Sequence, residues 1–504
     1  MNIFNNMKIK CDCGLSSVRM MKIAVILCIT GIGFGAFGSN AVSTDTLQLS
    51  LRDALTRAMR DNPLVRIERI NTEAASTFVS EHRYAYEPRV KLSYGTTERS
   101  GGPYFQDSHE ASLSVSGTAP TGTGVEVWTG ASALSPASRI HPNTPIGSTH
   151  QNTVGITVTQ SLLQGLSPSA NLAPLRKARI DVSIREEELA AYAQRLLGDT
   201  ERAYWDLLLS GEQMKIYEYS LELAQRLLYE SEERLKTGSV APIDLVAIRA
   251  EVASRERQLF DAATAYQQKT LYLVYLMNAP ELWSASLNLT DSALEMLGNA
   301  DSVSEHLEAA RKFRPDLRLA SMQAQKGELD LIQTKNGLLP KLDFFISLQG
   351  NSFAENFSNA FTPDSPSSAV AAGLTLQFPF TNGASRERHR RAVFSTEQQK
   401  LSVENFSRLL EYEIRSAHME VVRAHRQIET AETVSALQLQ KLEAEQEKMA
   451  AGKSTGYAVL QIQRDLVSAN LDEAQARTAY INALLALYTR DGTLLARRGV
   501  SAMQ

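Results

Sequence analysis

Cysteine is scarce in this sequence, and its three residues, Cys11, Cys13 and Cys28, all precede residue 42 of the 504-residue chain. The rest of the chain can therefore hold no disulfide, no thiol nucleophile and no metal site with cysteine ligands. From residue 42 onwards the chain also lacks the P-loop, GxGxxG and HExxH motifs that bind nucleotides or catalytic zinc. These absences predict a protein without catalytic residues, cofactors or a bound metal, and they argue against an enzyme.

The sequence also has no strong excess of positive or negative charge. The net charge is -4, and acidic and basic side chains are mixed within short runs such as REEELAAYAQR at 185–195 and EHLEAARKFR at 305–314. Nucleic-acid binding needs a surface of concentrated positive charge. We therefore expect a solvated surface of mixed charge and no nucleic-acid partner.

The most apolar run of the chain lies near its amino terminus. Met20 and Met21 precede an apolar stretch at 23–37, and small residues of the kind that a signal peptidase recognises follow it, ending at Ala41. We predict a cleaved export signal over residues 1–41, with Met20 and Met21 as alternative translation starts.

Long hydrophobic runs are missing from the chain after residue 41. The longest one after the export signal is LYLVYLM at 271–277. A membrane-spanning helix needs about 20 predominantly apolar residues, so this run is far too short. If the exported chain contacts a membrane, we expect it to do so with strands.

The chain consists of two copies of one unit. Residues 54–90 align with 306–342 at an offset of 252, and the long helical segments align at an offset near 214. Residues shared at these offsets are Pro63 and Pro315, Pro88 and Pro340, and Gly238 and Gly452. This internal duplication predicts a first repeat at 46–280, a linker at 281–302, a second repeat at 303–495 and a C-terminal tail at 496–504.

Each copy shows the same order of predicted elements. A short helix leads to an Asn-Pro or Arg-Pro step, where proline suits the first turn of the next helix because its missing N–H has no partner there. Strands with alternating apolar residues follow, and then a long helix that ends at a glycine and a helix that returns. The strands are predicted in VKLSY, ASLSV, GVEVW and GITVT of the first copy and in LDFFISL and GLTLQF of the second. The predicted fold class is mainly α with β.

The second long helix is the most informative segment. Residues 384–450 contain no glycine and no proline, and a helix of this length would extend about 100 Å at ~1.5 Å per residue. Small or apolar residues recur in it at spacings of four and three, at Leu410, Ile414, Ala417, Val421, Ala424, Ile428 and Ala431. The first copy repeats these spacings at Leu196, Thr200, Ala203, Leu207, Ser210, Met214 and Tyr217. A repeat averaging about 3.5 residues predicts long helices packed as antiparallel coiled coils.

The sequence resembles the TolC family of outer-membrane efflux and secretion ducts. The resemblance is carried by the export signal, the duplicated helix pairs that meet at a proline, the proline before each first strand, the TQSLLQG junction at 159–165 and the two glycine tips. It implies a homotrimer whose strands close one transmembrane β-barrel in outer-membrane lipid and whose helices form a long periplasmic tunnel. It also implies a passive duct for efflux or type I secretion, joined to a periplasmic adaptor and an inner-membrane pump.

The resemblance implies two kinds of site near the helix tips. Adaptor contacts would be made by Thr237, Gly238, Ser239, Gly452, Lys453 and Ser454. The periplasmic aperture would be lined by Asp244, Ala458 and Gln461. Because the second copy has no carboxylate at its two aperture positions, an acidic ring and an apolar or hydrogen-bonded closure both stay open. Each tip glycine would also serve as a helix C-cap, and Asp244 would serve equally well as a helix N-cap.

Two further questions stay open from the sequence. Pro88 and Gln160 are separated by 72 residues but Pro340 and Gln377 by only 37, and the excess includes an extra hairpin at 117–130, GTAPTGTGVEVWTG. This hairpin would either widen the barrel or lie outside it.

The alternative to a duct is an exported coiled-coil spacer or adhesion protein without a pore.

Overall fold

The structure is a computed structural model of the chain, and it describes residues 46–97, 108–134, 150–236, 242–283, 285–291, 301–354 and 367–500. All of these residues belong to one compact unit, Asp45–Gln504. The export signal predicted at 1–41 and the last residues of the predicted tail, 501–504, lie outside the described residues.

The elements of the two halves follow one another in the predicted order. In the first half, the described residues form β1 (Thr46–Leu49), α1 (Leu51–Asp61), α2 (Pro63–Tyr84), β2 (Arg89–Thr97), β3 (Ser108–Thr118), β4 (Thr123–Leu134), β5 (His150–Ser161), α3 (Pro168–Asn171), α4 (Ala173–Lys236) and α5 (Pro242–Met277). In the second half they form β6 (Ser286–Leu289), α6 (Val303–Phe313), α7 (Pro315–Asn336), β7 (Lys341–Ala354), β8 (Ser367–Gln377), α8 (Gly383–Ala450), α9 (Gly456–Arg490) and α10 (Leu494–Arg497). The prediction of a mainly helical fold with strands is confirmed.

Equivalent helices of the two halves have nearly the same length. α1 and α6 have 11 residues each, and α2 and α7 have 22 each. The long helices α4 and α8 have 64 and 68 residues, and the returning helices α5 and α9 have 36 and 35. The duplication seen in the sequence is therefore also a duplication of structural elements.

The proline steps start new helices as predicted. Pro63 occupies the first turn of α2, and the side chain of Asn62 caps that helix by accepting a hydrogen bond of 2.9 Å from the N–H of Leu64. Pro315 likewise occupies the first turn of α7, but the preceding Arg314 makes no side-chain capping bond. Proline suits both helix starts because its missing N–H is one of those that a helix start leaves without a partner.

The residues of the predicted coiled-coil repeat face the interior. In α8 the first six members of the series, from Leu410 to Ile428, are all buried, and Ala431 is half-buried. In α4 the members from Leu196 to Ser210 are buried, while Met214 and Tyr217 are half-buried. The α8 series packs against Tyr480, Leu484 and Leu487 of α9. Each long helix and its returning helix therefore form an antiparallel hairpin, as the spacing predicts.

The described strands form two sheets. The larger is antiparallel, has six strands and runs in the order β2-β3-β4-β5-β7-β8. The smaller pairs β1 with β6 in parallel, so that β6 lies within the segment 281–302 that the sequence predicts to be a linker. Leu49 and Leu287 of this small sheet are buried in the core against α4. The predicted linker is therefore partly built into the fold.

In the part of the chain that the structure describes, no helix combines the length and the apolar composition needed to cross a membrane. The same residues contain no group of three or more His, Cys, Asp or Glu side chains placed to hold a metal ion.

Candidate functional site at the helix tips

A left-handed glycine closes the tip between α8 and α9. Gly452 has a φ of 71°. Its N–H donates to the carbonyl of Met449 at 3.1 Å, and the N–H of Lys453 donates to the carbonyl of Lys448 at 2.8 Å, which is the hydrogen-bond pattern of a Schellman C-cap. A Cβ added to Gly452 would meet no heavy atom within 4 Å. The backbone conformation, and not crowding, favours glycine here, and open space surrounds the tip.

The residues after Gly452 tie the turn to both helices. The hydroxyl of Ser454 donates to Glu445 of α8 at 2.5 Å, and the side chain of Thr455 accepts a hydrogen bond of 3.3 Å from the N–H of Ala458 in α9. The bond from Ser454, supported by Lys448, lowers the pKa of the Glu445 carboxyl. Lys453 is exposed and forms no ion pair with the residues that the structure describes. The tip is thus a fixed turn that presents one free cation.

The tip residues 452–456, GKSTG, also match the GxSxG pattern of hydrolase nucleophiles. In those enzymes the serine lies on a strained turn between a strand and a helix, with a histidine base beside it. Ser454 instead follows the C-terminus of a helix, and its hydroxyl is bonded to Glu445. The match therefore carries no indication of catalysis.

The predicted first tip lies outside the part of the chain that the structure describes. Thr237, Gly238 and Ser239 lie outside the described residues, between the end of α4 at Lys236 and the start of α5 at Pro242.

The predicted aperture residues all lie close to the starts of the returning helices. Asp244 is exposed in the first turn of α5, where a negative charge is favoured by the helix dipole. In α9, Ala458 is half-buried and Gln461 is exposed. Their role in closing an aperture stays a prediction.

An apolar cluster joins the two hairpins close to the tips. It takes residues from α4, α5, α8 and α9, namely Leu227, Ile248, Leu442, Met449, Val459, Leu460, Ile462 and Leu466. At the start of α9, a Cβ on Gly456 would lie 3.4 Å from the Cδ1 atom of Ile248 in α5. The ends of the two hairpins are therefore packed together, and the two tips cannot separate without exposing this cluster to water.

A group of charged and polar side chains lies beside this cluster, and all of them are buried except Arg464, which is half-exposed. We call it the Glu251 network, and it consists of Glu251 and Arg255 of α5, Ser220 of α4 and Arg464 of α9. Glu251 and Arg255 are each 4 % exposed. Arg255 donates from Nε to Glu251 at 2.7 Å and from Nη1 to the hydroxyl of Ser220 at 2.6 Å.

Arg464 connects the network to the second half of the chain. Its Nε donates to Oε2 of Glu251 at 3.1 Å, and its Nη2 contacts the same oxygen. The bond from Arg464, followed by the nearby charge of Arg255, lowers the pKa of the Glu251 carboxyl against the opposing effect of burial. The carboxylate is therefore the ionised bridge between the two returning helices, α5 and α9.

The sequence does not reveal the Glu251 network. Glu251 and Arg255 have the spacing of an ordinary surface pair on a helix, and Arg464 lies 213 positions away from Glu251. Their burial results from the packing of α5 between α4 and α9. No signal in one sequence distinguishes this pair from the exposed pairs of α8.

The Gly452 turn yields a direct prediction. Gly452→Ala should destabilise the end of α8 by roughly 1–2 kcal/mol, because a residue with a Cβ resists the left-handed conformation. Gly452→Asn should cost less, because asparagine tolerates this conformation. Hydrogen exchange at the amides of 447–451 should be faster in the alanine variant than in the asparagine variant. Equal exchange in the two variants and the unaltered protein would contradict the role assigned to Gly452.

A known protein family and two named proteins match this sequence. The model of a family described as outer membrane efflux protein matches residues 54–279 and 306–493, which is most of the chain. The pyoverdine export outer membrane protein OpmQ of Pseudomonas putida is 26% identical over 302 residues, covering 58% of this chain and 61% of that protein. OpmQ of Pseudomonas aeruginosa is 24% identical over 326 residues, covering 63% of this chain and 65% of that protein. The chain thus spans less than two thirds of the length of these relatives.

The fold is similar to a solved outer-membrane channel. The crystal structure of the CmeC outer membrane channel of Campylobacter jejuni superposes with a TM-score of 0.64 at 14% identity. The superposition covers 90% of this chain and 87% of that one. At this identity the likeness concerns the fold alone.

Proposed function

Since the chain belongs to the outer membrane efflux protein family, we propose that it is a passive duct that exports cargo through the outer membrane. The observation that carries the proposal is one antiparallel sheet continuous with two helical hairpins, in the duplicated order that the family model matches. The names of the two OpmQ relatives support export as the direction of transport.

The sheet supports assembly into a homotrimer. β2 and β8 form its two edges, and their outer hydrogen-bonding groups have no neighbouring strand among the described residues. A sheet edge is not tolerated in lipid, because its backbone groups would lack hydrogen-bond partners. We infer that β8 of one copy pairs with β2 of the next, and that three copies close a barrel in the outer membrane with their long helices in the periplasm.

The helix tips support partners on the periplasmic side. We propose that residues 237–239, between α4 and α5, and the turn at 452–454 contact an adaptor protein, which joins the duct to an inner-membrane pump. The fixed Schellman turn and the free charge of Lys453 suit such a docking surface. The duct itself would perform no chemical step, and the pump would supply the energy.

Opening of the duct would occur near the starts of α5 and α9. We propose that Asp244, Ala458 and Gln461 line the closed aperture and that opening separates α5 from α9. The Glu251 network resists this separation through Arg464. The hairpin α4–α5 of the first repeat, 46–280, would then move away from the hairpin α8–α9 of the second repeat, 303–495.

The proposal predicts a pore-forming trimer. After extraction in mild detergent, the protein should have the mass of three chains, and it should form ion-conducting pores in planar lipid bilayers. It should also stay in the outer-membrane fraction after washing with high salt or carbonate, whereas a coiled-coil spacer would be released. A monomer that forms no pores and leaves the membrane on washing would overturn the proposal.

A further inference from the structure

The extra hairpin of the first half lies within the large sheet. β3 and β4 occupy the excess chain between Pro88 and Gln160, and they are inserted between β2 and β5. Both pair along most of their lengths, β3 with β2 over residues 108–116 and β4 with β5 over residues 123–133. The hairpin is therefore as much a part of this sheet as the four strands that both halves of the chain share.

One face of the sheet is apolar across the hairpin and its neighbours. Residues paired from strand to strand form a row that crosses all six strands, at Val90, Val115, Val127, Ile156, Leu348 and Val370. Every member of this row is an exposed aliphatic residue, with exposures from 37% to 72%. The contributions of β3 and β4, Val115 and Val127, continue the row without interruption. Exposed aliphatic rows of this extent are typical of a surface that contacts acyl chains.

The opposite face of the same strands is mainly polar or small, apart from large side chains such as Trp128 and Phe345. A row on this face, three positions along each strand from the first row, crosses the sheet at Ser93, Ser112, Gly130, Thr153, Asn351 and Ser367. Strands with apolar residues on one face and polar residues on the other are typical of a barrel wall that separates lipid from an aqueous lumen. β3 has 11 residues and β4 has 12, and a tilted strand needs about 9–11 to span a bilayer.

The turn of the hairpin is docked at the junction between the sheet and the helices. Gly122 has a φ of 78°, and a Cβ on it would lie 2.3 Å from the carbonyl oxygen of Gly165. The side-chain amide of Asn171 in α3 donates to the carbonyl of Pro120 at 2.8 Å and to that of Gly165 at 2.6 Å. The N–H of Ser161 donates to the carbonyl of Gly122 at 3.0 Å. These contacts fix the hairpin at the helix side of the sheet, level with the ends of the other strands.

We propose that β3 and β4 span the outer membrane as part of the channel wall, with lipid acyl chains against Val115 and Val127. This inference rests on the proposed function, because it takes the sheet to be membrane-embedded. Each chain would then contribute six strands, and a trimer would close a barrel of eighteen strands in place of twelve. For strands about 4.8 Å apart and tilted by about 40°, the backbone diameter would rise from roughly 24 Å to roughly 35 Å. The helical aperture, and not the barrel, would therefore limit the size of the cargo.

Cysteine substitution tests the inference at paired positions. The chain has no cysteine after residue 28, so each variant carries a single thiol in the folded part. The test pair in β4 is Val127→Cys, on the apolar face, and Glu126→Cys, on the polar face. The control pair in β5 is Ile156→Cys and Thr157→Cys, whose backbones pair directly with the first two.

The readouts are the reaction rate with a charged, membrane-impermeant maleimide and the quenching of a thiol-attached fluorophore by brominated acyl chains, both in liposomes. We expect Val127→Cys to react at least about tenfold more slowly than Glu126→Cys, since an apolar environment raises the pKa of a thiol and excludes the charged reagent. Of the two fluorophores in the test pair, only the one at position 127 should be quenched by the brominated lipid. The control pair should show the same contrast between positions 156 and 157.

Three results would overturn the inference, and they differ in what they leave standing. If only the control pair shows the contrast and position 127 reacts as fast as position 126, the hairpin lies in water and the proposed duct is unaffected. If position 127 is protected from the maleimide but not quenched, another part of the protein covers the hairpin. If the control pair shows no contrast either, the sheet is not in the bilayer, and the proposed function fails together with the inference.

Discussion

Glu251→Ala should loosen the packing of the helical hairpins near their tips and raise the conductance of the proposed duct. The substitution leaves the guanidinium of Arg255 buried with only Ser220 as a partner and removes the acceptor of Arg464. Breaking a buried ion pair in this way costs about 3–5 kcal/mol, because the remaining charge is not compensated. We expect a lower melting temperature of the detergent-solubilised trimer, a higher conductance in planar bilayers and easier entry of large hydrophilic antibiotics into cells.

Two further variants separate loss of stability from loss of the link between the hairpins. Arg464→Ala removes the link to α9 but keeps the buried pair of Glu251 and Arg255, so conductance should rise with a smaller fall in melting temperature. Arg249→Ala is the matched control, because its pair with Glu232 also joins α5 to α4 but is exposed, and exposed pairs contribute at most about 1 kcal/mol. If Glu251→Ala behaves like Arg249→Ala, the network does not hold the aperture closed.

The pH dependence of the network follows from the lowered pKa of Glu251. A carboxyl whose pKa is lower in the folded state than in the unfolded state stabilises the fold at pH values above its unfolded pKa, which is ~4.3 for glutamate. This contribution is lost as the pH falls through the lower, folded-state value. Bilayer conductance of the unaltered protein should therefore stay low at pH 5.5, and mild acid should not reproduce the effect of Glu251→Ala. A rise in conductance between pH 7 and pH 5.5 would indicate that another group controls the aperture.

The helical part of the fold could be predicted from the sequence because its signals are long. The series from Leu410 to Ile428 repeats over many turns, and every member is buried in the structure. The proline at each step begins a helix, and Gly452 follows the end of α8. By contrast, β1 and β6 have four residues each, which is too short for an alternating pattern to differ from chance.

The place of the extra hairpin could not be predicted for a different reason. Alternation in GVEVW at 124–128 identifies a strand and its apolar face, but it carries no information about the neighbouring strand. The pairing of β4 with β5 over residues 123–133 supplies that information. The same holds for the candidate site, where the Gly452 turn follows from local sequence but the contact of Arg464 with Glu251 depends on the packing of α5 against α9.

The contacts of the C-terminal segment, residues 496–500, could not be predicted from the sequence either. The sequence places 496–504 in a tail outside the repeats, yet Arg498 forms two hydrogen bonds with Glu201 of α4, one of them 2.9 Å from its Nε to Oε2. The side chain of Glu201 is 0 % exposed and that of Arg498 is 23 % exposed. The carboxylate of Glu201 therefore depends on a residue that lies close to the C-terminus of the chain.

Arg498→Ala should destabilise the protein as strongly as Glu251→Ala, by about 3–5 kcal/mol, because it leaves the buried carboxylate of Glu201 without its partner. The expected result is a clear fall in the melting temperature of the detergent-solubilised trimer. Arg497→Ala is the neighbouring control, since Arg497 pairs with Asp301 and stacks on Tyr488 at the surface, and its loss should cost about 1 kcal/mol.

A double variant tests whether the unpaired charge is the cause of this loss. Replacing both partners by apolar residues, Glu201→Leu with Arg498→Leu, removes the buried charge together with its partner, and such replacements are often neutral. We expect the double variant to regain most of the melting temperature lost in Arg498→Ala. If it is as unstable as the single variant, the packing of the C-terminal segment against α4, and not its charge, holds this part of the fold together. If Arg498→Ala melts no lower than Arg497→Ala, Glu201 does not depend on Arg498.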